Sequence, residues 1–144
     1  MGQSNRLSVI YSNLKKAAEK QQNFALVTEY ERLSEKNKEE GVAGGTLAGL
    51  LEMVSSDLVD LIPKAADVVK SHGDRGGQRA LKWGETVTKI QKSLMDRYLK
   101  KGDEAFEGKD FYVCQACGFI YSGTEAPKLC AACKAPSDRF EKIK

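Results

Sequence analysis

The sequence predicts a mainly α fold, in which a short antiparallel helical bundle (residues 1–107) is followed by a small β ribbon (residues 108–144). Two observations predict this fold. Four stretches of the first part repeat apolar residues with the period of a helix, and short polar or Gly-rich breaks separate them. All four cysteines fall in the last part, in two close pairs. Because short connections favour antiparallel neighbours, we expect the helices to pack as a bundle.

The first two helices are predicted by apolar stripes and one capping residue. The first stripe consists of Leu7, Ile10, Tyr11, Leu14 and Ala18, and the second of Leu26, Val27, Tyr30 and Leu33. Between them, Asn23 can cap the second helix, because its side-chain oxygen can accept a backbone N–H at the helix start. The glycines of segment 41–45 predict the end of the second helix.

Two longer stripes predict a third and a fourth helix. The third stripe runs from Leu47 to Val69 and the fourth from Ala80 to Tyr98. Thr46 can cap the third helix. Pro63 lies inside the third pattern, where we expect it to kink the helix or free a carbonyl group. The Gly-rich break between these helices contains the one histidine, His72, which we expect to be a solvated loop residue.

The cysteines predict a metal site. Cys114, Cys117, Cys130 and Cys133 form two C-x2-C pairs, and twelve residues separate the pairs. This spacing can bring four sulfurs to one tetrahedral point, which suits Zn²⁺ or a single iron ion. Gly118 follows the first pair, where a residue that tolerates positive φ lets the chain curl around the metal.

Two disulfides, or four unrelated buried cysteines, are the alternatives to a metal site. The sequence shows no signal peptide, so we expect a cytoplasmic protein in a reducing compartment, where disulfides are rare. Every cysteine of the chain lies in one short segment, which argues against chance. We therefore predict four thiolate ligands.

Composition excludes several classes of protein. Hydrophobic residues at 41% and charged residues at 30% suit a globular fold, and no apolar run approaches the ~20 residues of a membrane span. The net charge is only +3, and thiolate charge would offset the small excess of Lys and Arg around the cysteines. We therefore expect neither nucleic acid nor membrane as a partner.

The segment 111–143 resembles the rubredoxin-like domain at the C-terminus of rubrerythrins. The matching residues are Cys114, Cys117, Gly118, Phe119, Gly123, Ala126, Pro127, Cys130, Cys133, Ala135, Pro136 and Phe140. The resemblance implies one iron per chain as Fe(Cys)4, cycling between Fe²⁺ and Fe³⁺, with Zn²⁺ as the alternative ion. Lys134, directly after the last cysteine, departs from the family pattern, in which small residues are usual.

Within this segment we expect two short strands, 111–113 and 119–121, to pack around the metal. An apolar shell that excludes water would consist of Tyr112, Phe119, Tyr121 and Phe140.

The segments 11–40, 63–68 and 81–98 resemble the ferritin-like helices of rubrerythrins. In that family the helices carry a di-iron site of Glu residues and two Glu-x-x-His pairs, which reduces peroxide. Here the corresponding positions are Asn37-Lys38-Glu39-Glu40, Thr88-Lys89-Ile90-Gln91, Ser4, Val54 and Asp57. Only Asp57 and Glu40 could still ligate a metal, so we expect a ferritin-like bundle without an intact di-iron site.

Three functions follow as hypotheses. The first is electron transfer with a redox protein partner, in which the helical part docks the partner or forms a homodimer. The second is a structural zinc ribbon that serves as an interaction module. The third is a peroxide reductase linked to oxidative stress, with a non-standard di-iron site built from Asp57, Glu40 and other carboxylates. The missing ligands favour an electron carrier over an enzyme.

Overall fold

The computed structural model describes residues 3–38 and 45–143, and side chains from residue 7 onward except residue 9. The helices are α1 (Gln3–Lys20), α2 (Phe24–Lys36), α3 (Leu47–Ser56), α4 (Ile62–Ser71) and α5 (Arg75–Lys101). A π-helical turn, Asp57–Leu61, joins α3 to α4 without a break, so these two form the predicted third helix. Within the described residues, no helix combines the length and the apolar character that crossing a membrane requires.

The contacts divide the chain into two compact units, one of segments 1–45 and 65–81 and the other of segments 46–64 and 82–144. In the first unit α1 and α2 run antiparallel. Lys15 Nζ lies 2.5 Å from Glu31 Oε1, and the Tyr11 and Tyr30 rings stack at 6.3 Å between centroids. The proposed division of the chain at residue 107/108 stays a prediction.

Small residues also let elements of the first unit approach closely. Ala17, Ala18 and Ala80 are buried. A Cβ added at the buried Gly76 would lie 2.7 Å from Gln21 Oε1, so the first turn of α5 lies close to the side chain of Gln21, which would have to move for a larger residue.

Both predicted helix caps are present. The N–H of Leu26 donates to Asn23 Oδ1 (3.3 Å) at the start of α2, and the N–H of Gly49 donates to Thr46 Oγ1 (3.1 Å) at the start of α3. The prediction that segment 41–45 ends the second helix is wrong, because α2 already ends at Lys36, where the side-chain amide of Asn37 donates to the carbonyl of Leu33 (2.7 Å).

Pro63 disturbs its helix, as predicted, and the π turn is the form that the disturbance takes. The N–H of Ile62 donates to the carbonyl of Asp57, five residues back instead of four. Proline has no N–H, so the regular bond to the carbonyl of Val59 cannot form either. Widening one turn moves the carbonyls away from the proline ring while the helix continues.

The second unit contains a three-stranded antiparallel sheet with the order β2-β1-β3, formed by β1 (Asp110–Cys114), β2 (Ile120–Gly123) and β3 (Phe140–Ile143). Val113 pairs with Ile120, and Cys114 pairs with Phe140. The first predicted strand is confirmed and the second begins one residue later than predicted, because Phe119 lies in the preceding turn. The mainly α class with a small β ribbon is confirmed; β3 as a strand was not predicted.

Candidate metal centre

The four cysteine sulfurs converge on one point. All four side chains are buried, and their sulfur atoms lie within 4.8 Å of one another. Two of these distances join sulfurs of different pairs: Cys114 Sγ to Cys133 Sγ is 3.7 Å, and Cys117 Sγ to Cys130 Sγ is 3.6 Å. A tetrahedral ion with bonds of ~2.3 Å to sulfur gives edges of about 3.8 Å between sulfurs. A disulfide needs about 2.05 Å, so these distances fit a metal and not the disulfide alternative.

The first metal-binding turn, residues 114–119, folds back on itself through two backbone hydrogen bonds. The N–H of Gly118 donates to the carbonyl of Cys114 (2.8 Å), and the N–H of Cys114 donates to the carbonyl of Phe119 (2.9 Å). Gly118 has a φ of +81°, the left-handed conformation that glycine adopts without strain. The turn thereby points Cys114 and Cys117 the same way, as the C-x2-C spacing predicted.

The second metal-binding turn, residues 130–135, repeats this geometry. The N–H of Lys134 donates to the carbonyl of Cys130 (3.0 Å), and the N–H of Cys130 donates to the carbonyl of Ala135 (2.8 Å). Lys134 occupies the position that Gly118 has in the first turn, with a φ of +63°. The side-chain positions of the two pairs are therefore set by one backbone arrangement used twice.

Burial raises the pKa of the cysteine thiols, whereas hydrogen bonds from backbone N–H groups lower it. Burial raises the pKa of Cys117, against a hydrogen bond from the backbone of Phe119. At Cys130, burial also acts to raise the pKa, but backbone hydrogen bonds from Cys133 and Ala132 help to bring it below its ordinary value. Backbone N–H groups aimed at sulfur stabilise thiolate charge, which is what a positive ion in this site requires.

The expected apolar shell is only partly buried. Phe119 is 8% exposed, whereas Tyr112, Tyr121 and Phe140 are half-buried. The hydroxyl of Tyr112 donates to the carbonyl of Thr124 (3.3 Å). Phe119 therefore provides the best-shielded aromatic wall, next to the first turn.

A contribution that the sequence did not reveal comes from the last strand. The N–H of Gln115 donates to the carbonyl of Arg139 (2.8 Å), and its side-chain amide donates to Glu141 Oε2 (2.9 Å). These bonds tie the first turn to the region of β3. The only hint of this contribution in the sequence was Phe140, which matched the family pattern but did not indicate a strand.

The expected remnants of a di-iron site do not come together as a metal site within the described residues. There, no other group of three or more His, Cys, Asp or Glu side chains is close enough to hold an ion. Asp57 begins the π turn, while Glu40 lies outside the described residues. His72 is exposed, with Nδ1 2.9 Å from the carbonyl of Val68, in agreement with its interpretation as a loop residue.

Two positions of α5 where the second Glu-x-x-His motif would fall make contacts within their own helix. The hydroxyl of Thr88 donates to the carbonyl of Gly84 (2.7 Å), and Lys89 Nζ lies 2.5 Å from Glu85 Oε1. Neither side chain offers the carboxylate or imidazole ligand that a di-iron site uses.

The fold and the site together define a mainly helical protein with a four-cysteine metal domain of the rubredoxin-like class. Residues 112–141 match the family model described as the rubrerythrin rubredoxin-like domain. The resemblance drawn from the cysteine segment is thereby confirmed.

Curated relatives extend the similarity upstream. The chain is 32% identical over 91 residues to Rubrerythrin-1 of Clostridium acetobutylicum, covering 60% of this chain and 47% of that protein. It is 33% identical over 95 residues to the rubrerythrin of Clostridium perfringens, covering 61% and 47%. The chain thus spans about half the length of the curated relatives that it matches.

Solved structures show the same fold over nearly the whole chain. Nigerythrin in its fully reduced, all-ferrous state has a TM-score of 0.64 at 16% identity, covering 97% of this chain and 81% of that chain. Partially reduced nigerythrin gives a TM-score of 0.65 at 17% identity, with the same coverage. The rubrerythrin-like fold class is therefore confirmed, and the four-cysteine site supports a metal-binding role.

Proposed function

We propose that the chain is a cytoplasmic electron-transfer protein with one iron ion bound by Cys114, Cys117, Cys130 and Cys133. The observation that carries the proposal is the convergence of four buried sulfurs at distances that fit one tetrahedral ion. The match to a rubredoxin-like domain favours iron at this site. Bound iron supplies one-electron chemistry, in which the charge of the ion with its four thiolates changes from −1 to −2.

The fold suits this change of charge because the cysteine ligands are already held in fixed positions. Two turns of the same hydrogen-bonded form hold the sulfurs in place, and the sheet joins the first turn to the last strand. Backbone N–H groups directed at sulfur stabilise negative charge in both oxidation states. The burial of all four cysteines keeps water from the ligands.

The partner of this centre would be a second redox protein that exchanges one electron at a time. We propose that the helical part serves to dock this partner or to form a homodimer. The helical part presents some apolar side chains to solvent, since Val59 is 78% exposed and Val68 is 59% exposed.

A structural zinc ribbon is the second candidate, because four thiolates at these distances fit Zn²⁺ as well as iron. Metal analysis of protein from cells supplied with both metals separates the two. We expect one iron per chain and an absorption spectrum that bleaches on reduction and returns on reoxidation. The Cys130→Ser variant is the matched control, and it should lose the spectrum while the helices remain.

One zinc per chain, with no reversible colour, would contradict electron transfer and support the zinc ribbon. Three irons per chain would instead support the peroxide reductase with a non-standard di-iron site.

A further inference from the structure

Lys134 is an exception within the metal centre. The two metal-binding turns share their backbone hydrogen bonds, yet one has Gly118 and the other Lys134 at the left-handed position. For a residue with a Cβ, this conformation costs roughly 1–2 kcal/mol, and glycine would avoid the cost. Strained positions that persist tend to lie at functional sites, so the lysine calls for an explanation from its side chain.

The side chain of Lys134 folds back over its own turn. Its ammonium group donates to the carbonyl of Ala131 (3.4 Å), and Ala131 directly follows the ligand Cys130. The positive charge is therefore held beside the segment between Cys130 and Cys133. Among the described residues Lys134 is in no ion pair, so no carboxylate in contact cancels this charge.

We propose that Lys134 raises the reduction potential of the centre, an inference that rests on the proposed iron-based function. Bound iron would take up one electron from the reduced partner and pass from Fe³⁺ to Fe²⁺, with no bond made or broken. The centre gains one negative charge in that step, and a nearby positive charge stabilises the reduced form more than the oxidised form. Lys134 thus acts through its charge and not as a ligand.

The test is the midpoint potential of the iron-loaded full chain, measured by spectroelectrochemical titration. Lys134→Gln removes the charge, and Lys134→Arg keeps it. We expect the Gln variant to shift to a lower potential and the Arg variant to stay near the wild type. Raising the salt to about 1 M should shrink the difference between wild type and Gln variant, since the Debye length falls to about 3 Å.

Lys109→Gln is the matched control for loss of one positive charge. Lys109 precedes β1, and its Cα is about 16 Å from that of Cys114 at the rise of an extended strand. That separation exceeds the Debye length of about 10 Å at 0.1 M salt, so the potential of this variant should not change.

Several outcomes would overturn the inference. A Gln variant with the wild-type potential would show that the charge has no effect. An equal shift in the Arg variant would show that the shape of the side chain matters instead. Lys134→Gly provides a second neutral variant if the Gln variant fails to fold. A wild-type chain that binds no iron, or has no reversible couple, would instead refute the proposed function itself.

Discussion

Gly118 and Lys134 show how one residue alters an otherwise repeated structure. Both have positive φ, and both close a turn by donating to the carbonyl of the cysteine four residues earlier. Glycine does so without strain, whereas lysine must keep its Cβ in a crowded backbone conformation. Replacing glycine in the first turn should therefore lower the stability of the protein, whereas introducing glycine in the second turn should raise it.

Gly118→Ala should lower stability by about 1 kcal/mol, which weakens metal binding about fivefold. A Cβ at Gly118 would meet no atom within 4 Å, so the cost is conformational and not steric. Lys134→Gly should instead raise the stability of the protein, by up to about 1 kcal/mol. Chelator competition on zinc-loaded protein measures both variants. A loss in both would show that the lysine side chain contributes more than its backbone costs.

The raised pKa of two cysteine thiols predicts how metal affinity depends on pH. Burial raises the pKa of Cys117 and Cys133 above the ordinary thiol value, so both are protonated at neutral pH without metal. An incoming ion must displace these protons, and its affinity therefore falls as the pH falls. We expect a change of about tenfold per pH unit for each proton released. Chelator competition between about pH 6 and about pH 8, with a proton count by indicator dye, checks this slope. An affinity independent of pH would mean that the thiols are already ionised.

Among the elements, the helical run 47–71 combines good and poor helix signals. Thr46 caps its start with a side-chain hydrogen bond. Pro63 then removes a donor within the run, and the π turn Asp57–Leu61 accommodates the loss one turn earlier. The run remains one continuous helix because only one turn changes its hydrogen-bond partner.

Pro63→Ala should restore a regular α turn and stabilise the protein by about 1 kcal/mol, because alanine supplies the missing N–H and has the best helix propensity. Thermal unfolding followed by far-ultraviolet circular dichroism measures the change. Pro136→Ala is the matched control: Pro136 has a φ of −72° outside the helices, so proline suits that position and its removal should cost up to about 1 kcal/mol. A less stable Pro63→Ala protein would show that the π turn itself is needed.

At the scale of the whole molecule, the helices and the metal-binding segment obtain their stability differently. Within the described part of segment 108–144, the buried hydrophobic side chains are the four cysteines and Phe119. So few buried groups cannot support a fold of about 35 residues, and the metal must supply the rest of its stability. The helices bury apolar residues of their own, such as Ala17, Ala18 and Trp83.

Removing the metal with a chelator should therefore unfold β1, β2 and β3 and leave most of the helical signal intact. Backbone NMR spectra would show this as loss of dispersed resonances from residues 110–143 while those of α1 and α2 persist. Cys117→Ser should have the same effect without a chelator. Loss of the helical signal at the same chelator concentration would contradict the prediction that the helices remain folded without metal.

The sequence predicted what depends on local spacing. The C-x2-C pairs, the caps at Asn23 and Thr46, and the disturbance at Pro63 each follow from residues a few positions apart. The strand β3 could not be predicted in this way, because a four-residue segment becomes a strand only by pairing with β1, some 30 residues upstream. The π form at Pro63 also escaped prediction, since a kink and a widened turn share the same missing N–H.

The position of the four ligands along the chain has a consequence for a nicked protein. Cys114 and Cys117 precede residues 124–128 and Cys130 and Cys133 follow them, so the bound ion would link the stretch before residue 124 to the stretch after residue 128. A protease cut within 124–128 would leave β1 and β2 on one fragment and β3 on the other. The ion and the β1–β3 ladder would hold these fragments together, and chelation would release them.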